Sequence, residues 1–125
     1  MAQDLRYTKE HEWVRVEGDL AIVGITDYAA RQLGDIVFVE LPEIGRSLAQ
    51  SDAVGVIESV KAVSDLFAPI SGEVVEANAE LTTSPELVNS DPFGKGWMLR
   101  IRIADASQLG ALLDQAAYEE LTREG

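Results

Sequence analysis

The chain predicts a mostly β fold, a flattened barrel or sandwich of two small sheets with short helices and a C-terminal helix. Three observations lead there. Short β-branched or apolar runs recur at close spacing, as in Leu20–Ile25, Asp35–Leu41 and Trp97–Ile103. Gly, Pro and Asn punctuate the intervals between them, which suits short strands joined by turns. A Gly-acid-apolar-apolar signature occurs twice, at Gly34-Asp35-Ile36-Val37 and Gly72-Glu73-Val74-Val75, on either side of a central hairpin. That weak self-similarity suggests two related sheet halves facing each other.

Taken in order, Tyr7–Val16 alternates apolar and polar residues as one strand, with Trp13 in the core. Glu17-Gly18-Asp19 makes a turn, and Leu20–Ile25 is a buried strand. Thr26 caps a short helix over Asp27–Leu33, with Asp27 at its positive end and Gly34 as its stop. Asp35–Leu41 is a strand closed by Pro42 and Gly45. Asp52–Ile57 and Leu66–Ile70 are the arms of a hairpin, and Pro69–Asn78 carries the next strand. Ser84 caps a helical turn that has Pro85 at its first position, and residues 89–96 form a loop. Trp97–Ile103 is the last strand. Ser107 starts a helix to about Leu121, whose stripe of Leu109, Leu112, Leu113, Ala116 and Leu121 packs on the sheet.

The 125 residues are expected to form one domain over 1–125, large enough for a core without metals or disulfides. Ten basic against 22 acidic residues give a net charge of −12, which excludes nucleic-acid binding because phosphate neutralisation needs clustered Lys and Arg. The same charge favours a monomer and encounters with partners bearing basic patches. Without cysteine there is no disulfide, thiol nucleophile or Cys-based metal site, and a single histidine, His11, builds no His-rich one. No apolar run reaches the roughly 18 residues of a membrane span. Residues Met1–Leu5 lack the pattern of a secretory signal. The expected setting is a bacterial cytoplasm, with a processed form in a mitochondrial matrix as the alternative.

The stretch that organises the rest is Glu58-Ser59-Val60-Lys61-Ala62-Val63-Ser64-Asp65. A hairpin tip normally holds Asn-Gly, Asp-Gly or another pair suited to positive φ. This one holds a lysine between two small apolar residues, Val60 and Ala62, with Glu58 and Asp65 a few positions away. A lone surface lysine is ordinarily just solvated. A lysine at a rigid, exposed tip also suits a carrier, because its amine forms a stable amide with a carboxylic cofactor and becomes the root of a long arm.

Several segments carry a family resemblance. They are Tyr7-Thr8-Lys9-Glu10-His11-Glu12-Trp13-Val14, Val23–Ala29, Leu33–Pro42, Glu58–Asp65, Pro69–Val74 and Pro92-Phe93-Gly94-Lys95-Gly96-Trp97. On them the chain resembles the H-proteins of the glycine cleavage system, over nearly its whole length and in the same order. The resemblance implies a lipoyl-domain-like fold of the barrel-sandwich hybrid type, with lipoate joined to Lys61 as an amide. It implies a carrier rather than an enzyme, serving a pyridoxal-phosphate glycine decarboxylase, a tetrahydrofolate-dependent aminomethyltransferase and a dihydrolipoamide dehydrogenase, and modified by a lipoate-attaching enzyme. The aminomethyl group of glycine would travel on the arm between the first two, and the chemistry would belong to the cofactors.

The resemblance further implies that Glu12 and Asp65 lie near the cleft where a loaded arm is sheltered, since an ammonium prefers a carboxylate in a partly desolvated place. Glu58 and Asp65, with Val60 and Ala62, are candidates for recognition by the attaching enzyme. Gln32 stands where the family often carries His, so no imidazole role is carried over there. Alternatives are a lipoate relay to other enzymes, a lipoyl domain of a 2-oxoacid dehydrogenase, whose tip would carry Asp where Val60 stands, and a biotin carrier, whose lysine would be flanked by methionines. A hydrolase using Glu12 and Asp65 as a carboxylate pair is the alternative from another class.

Overall fold

A computed structural model describes residues 5–123, so the reading of residues 1–4 falls outside the described part. Nine strands and four α-helices follow in the order β1 (Leu5–Tyr7), β2 (Glu12–Glu17), β3 (Leu20–Ile25), α1 (Asp27–Leu33), β4 (Ile36–Glu40), β5 (Ser47–Leu48), β6 (Ala53–Ser59), β7 (Val63–Phe67), β8 (Gly72–Ala77), α2 (Glu80–Thr83), α3 (Leu87–Ser90), β9 (Leu99–Ile103) and α4 (Gln115–Arg123). A 3₁₀ segment at Ala106–Ala111 precedes α4. The strands form two antiparallel sheets, one of six in the order β1-β2-β3-β9-β8-β5 and one of three in the order β4-β6-β7. The predicted two-sheet sandwich is therefore the observed fold.

The main core fills the space between the sheets, with Val14, Val23, Ile36, Val39, Ile57, Leu66, Ile70, Val74, Leu99 and Ile101 buried in one cluster. A second cluster of Tyr7, Trp13, Ile22 and Tyr118 covers the other face of the large sheet. β3 is thus buried on both faces, which is why it reads as an unbroken apolar run. Gly24 pairs with Trp13 across β2 and β3, and a Cβ there would come within 2.7 Å of the indole. The bare Cα makes room for the largest core side chain.

The repeat read from the sequence has a structural counterpart. One copy is β4 in the small sheet and the other is β8 in the large one. Each strand has its register shift at the same place, between Ile36 and Phe38 and between Val74 and Glu76. Each copy therefore bends at its second apolar residue, as a bulge does, and the bends help the sheets wrap toward each other.

Local readings hold where local forces act. β3 and α1 have the expected bounds, with Thr26 Oγ1 accepting from the Ala29 amide and Gly34 closing α1 at φ 87°. Three expectations are corrected. Tyr7–Val16 is not one strand, because residues 8–11 turn, with His11 at φ 70°. Thr8 drives that turn, its hydroxyl accepting from the Glu10 and Glu12 amides.

Ser84 does not cap a helix with its side chain; α2 ends there, α3 starts at Leu87, and α2 itself was not foreseen. The long C-terminal helix is interrupted: Asp105, not Ser107, accepts from the first amides, and Leu112 and Leu113 are extended. Leu113 instead exchanges backbone hydrogen bonds with Tyr7, at 2.8 and 2.7 Å. Leu109, Leu112 and Leu113 do pack on the core clusters, but Ala116 and Leu121 are exposed and Tyr118 is the buried anchor of α4.

Candidate functional site

Strand β6 runs two residues past the expected Ile57, and β7 begins at Val63 and ends at Phe67 in place of the expected Leu66–Ile70, which leaves a tip of only Val60, Lys61 and Ala62, all exposed. The turn is closed by Ser59, which is 6% exposed. Its amide donates to the Ala62 carbonyl at 2.8 Å, and its Oγ accepts from the amides of Lys61 at 3.2 Å and Ala62 at 3.0 Å. The hydroxyl supplies what a positive-φ residue normally supplies. Among the described residues the non-glycine positive φ angles are those of His11 and Ser51, so the tip has none. A β-branched Val60 is tolerated for that reason. Ser59 is a site residue to which the sequence reading assigned no role, and its signal was the absence of Gly or Asn from a three-residue tip.

The tip is also held from outside. The Val60 amide donates to the Asp35 carbonyl at 3.0 Å, tying the hairpin to the corner between α1 and β4. The stem of Lys61 lies over Gly34, where an added Cβ would sit 3.4 Å from Lys61 Cε. Among the described residues the ion pairs are all made by arginines, and Lys61 makes none. The result is an amine on a rigid root, presented to solvent without a carboxylate to hold it back.

Glu58 and Val63 pair across β6 and β7, and Phe38 on β4 pairs with Glu58, so these three form a row on the outer face of the small sheet. Val56 and Asp65 pair in the next row. Phe38 and Val63 are 47% and 67% exposed, and Val60 is 69% exposed, so apolar surface surrounds the tip. Glu58 and Asp65 are exposed within it.

Glu12 is elsewhere and differently made. It is 2% exposed, with Oε1 accepting from the Thr8 hydroxyl at 2.7 Å and Oε2 accepting from the Phe67 amide at 2.9 Å. Burial pushes its carboxyl up to about 7, against the two hydrogen bonds that favour the charged form. Glu12 lines a cleft of about 450 Å³ together with Tyr7, Thr8, Gln50, Phe67 and Leu113. The cleft opens at the root of β7, five strand residues and roughly 16 Å from the tip. Asp65 does not line it; strand alternation puts Asp65 on the same face as Phe67, between cleft and tip. A carboxylate pair of the kind a hydrolase needs is therefore not assembled from Glu12 and Asp65. Gln32 is exposed on α1.

The model of the glycine cleavage H-protein family matches residues 5–125. The chain belongs to that family. It is 59% identical to the glycine cleavage system H protein of Symbiobacterium thermophilum over 98% of this chain and 95% of that protein. Its identity to the H protein of Carboxydothermus hydrogenoformans is 53%, over 98% and 94% of the two chains. Among solved structures, the crystal structure of the glycine cleavage system H protein of Mycobacterium marinum superposes with a TM-score of 0.89 at 37% identity, covering 98% of this chain and 99% of that one. Within this H-protein family member the hairpin lysine and the buried Glu12 cleft stand at opposite ends of one strand, β7.

Proposed function

We propose that Lys61 carries lipoate as an amide and that the chain works as one carrier domain over residues 1–125, a substrate of its partner enzymes and not itself an enzyme. Family membership makes it the lipoyl-carrying shuttle of the glycine cleavage system. The observation that carries the assignment to Lys61 is the tip: an exposed amine without an ion pair, on a turn closed by a buried serine and tied to the corner between α1 and β4.

The residues present fit the group. Attachment needs a reachable amine, and removal of the lysine's charge would strand no partner here. When bound, lipoate supplies the sulfur chemistry that takes up the aminomethyl unit and passes it on. This chain's residues supply position. Ser59 and the Asp35 carbonyl fix the root, so the arm's reach is not blurred by motion of the turn.

Glu12 supplies a desolvated carboxyl at the end of β7 away from the tip. Glu12 would hold an ammonium on the arm there, because a nearby positive charge would favour its ionised form. Glu12 is then the shelter residue, and Asp65 a way-point between tip and cleft. Glu58, Val60, Ala62 and Asp65 form the surface read by the lipoate-attaching enzyme. The decarboxylase, aminomethyltransferase and dihydrolipoamide dehydrogenase are the other partners, in a bacterial cytoplasm. No helix among the described residues is long and apolar enough to cross a membrane.

The test is the intact mass of the protein from its source, with a peptide map across Lys61. One lipoyl increment on that peptide is the expected result, absent from Lys61→Arg. A biotin-sized increment moves the chain to carboxylase chemistry, and an unmodified lysine in cells that lipoylate other carriers overturns the reading.

A further inference from the structure

The corner that holds the tip is itself held from behind by a residue far away in sequence. Asn89 sits on α3, a four-residue helix with no role in the site as described above. Its Oδ1 accepts from the Ile36 amide at 2.9 Å, and its Nδ2 donates to the Gly34 carbonyl at 2.9 Å. Peptide groups along an extended stretch alternate in direction. The Gly34 carbonyl and Ile36 amide face Asn89, whereas the Asp35 carbonyl between them faces Val60. The carboxamide thus pairs with the back of this stretch as a neighbouring strand would, while its front holds the tip. The Lys61 stem also passes over Gly34, with Cε, Cδ and Cγ 3.4, 3.8 and 3.9 Å from where a Cβ would sit, so a side chain at this corner would press on it.

We infer that Asn89 is a positioning residue for the lysine tip, acting through Gly34, Asp35 and Ile36 on Val60 and Lys61. The geometry makes the path short and direct. Removing the carboxamide frees the Gly34 carbonyl and the Ile36 amide, so the corner is no longer fixed where Asp35 meets Val60. A tip of three residues has few other anchors: Ser59 closes it internally, and the Val60–Asp35 bond is its tie to β4.

The inference rests on the reading of Lys61 as the attachment site, and two readouts keep the two apart. The first is hydrogen exchange of the Val60 amide in the full unmodified chain, which needs no lipoate. In Asn89→Ala it is expected to speed up about tenfold, the size of one or two modest hydrogen bonds. The amides of β3 and β9 are expected to stay unchanged. The second is lipoate attachment by a lipoate-attaching enzyme, expected to show a KM raised about five- to tenfold at little-changed kcat, because the tip and not the chemistry is affected.

Asn89→Asp keeps an acceptor for Ile36 and loses the donor to Gly34, so it moves both readouts in the same direction and serves if the alanine variant does not fold. Unchanged Val60 exchange overturns the inference, as does a rise spread evenly over both sheets. A wild type that takes no lipoate on Lys61 overturns the carrier reading instead, and Val60 exchange then still decides whether Asn89 seats the tip.

Discussion

At the residue scale, Glu12 and Ser59 do opposite things with a buried polar group. Glu12 is raised to about 7 by burial, so the folded protein holds a proton there that the unfolded chain releases near pH 4.5. Between those values the folded state binds more protons, and stability must fall as pH rises. The loss is largely complete above pH 7 and amounts to about 3 kcal/mol, the free-energy equivalent of the shift. Urea unfolding at pH 5 and pH 8 measures it, and Glu12→Gln is expected to remove most of that slope; an unchanged slope assigns it to other groups. Ser59 offers a neutral oxygen to two amides that have no other way to close the turn. Ser59→Ala is expected to cost about 1–2 kcal/mol, the net worth of the two hydrogen bonds it makes to the tip amides. Denaturant midpoints together with the attachment rate at Lys61 check it, since a serine needed for the tip lowers both.

At the element scale, α4 is held by one side chain. Tyr118 stacks on Tyr7 with centroids 4.5 Å apart, and its hydroxyl lies 2.9 Å from His11 Nδ1 and 2.7 Å from Thr26 Oγ1. Thr26 caps α1, so a single phenol links the C-terminal helix to the β1–β2 turn and to the start of α1. A nine-residue helix is marginal by itself. Tyr118→Ala is expected to undock α4, at about 3 kcal/mol and with loss of far-UV helical signal. Tyr118→Phe keeps the stack and costs about 1–2 kcal/mol for the stranded partners. Because Ala111, Leu112 and Leu113 line the Glu12 cleft and Leu113 bridges to Tyr7, the alanine variant also opens one wall of it. Faster exchange of the Tyr7 and Leu113 amides in that variant, with the β6–β7 amides protected, is the signature; uniform exchange argues that α4 is not a separate unit.

At the scale of the whole molecule the dominant fact is the charge of −12. The ion pairs that Arg15, Arg100 and Arg102 make on the large sheet are exposed and individually worth little. Like charges therefore repel across the surface at low salt, where the Debye length is about 30 Å, and are screened at physiological salt, where it is about 8 Å. The melting temperature is expected to rise by a few degrees over that range. Association with a basic partner surface is expected to slow over the same range. Melting curves and stopped-flow mixing give the two trends; parallel trends would mean that net charge governs neither.

The sequence alone determined the two-sheet fold, the bounds of β3 and α1, and the lysine at the tip. These depend on residues close along the chain: alternation, the Thr26 cap, the Gly34 stop, and the contrast between a lysine tip and ordinary turn chemistry. Family membership was also legible, because the resemblance runs from Tyr7 to Trp97 in unbroken order. Only the tertiary structure decided the rest. The interrupted C-terminal helix follows from Tyr7 pairing with Leu113, two residues more than a hundred positions apart. The resemblance points to Glu12, but its burial is decided only when Phe67, 55 residues on, brings its amide to the carboxylate. Asn89 reads as a loop residue until Gly34 and Ile36 arrive beside it. Local patterns record which residues prefer a strand, a helix or a turn. Which polar group ends buried, and against what, is set by chain closure over long separations, and no local pattern encodes that distance.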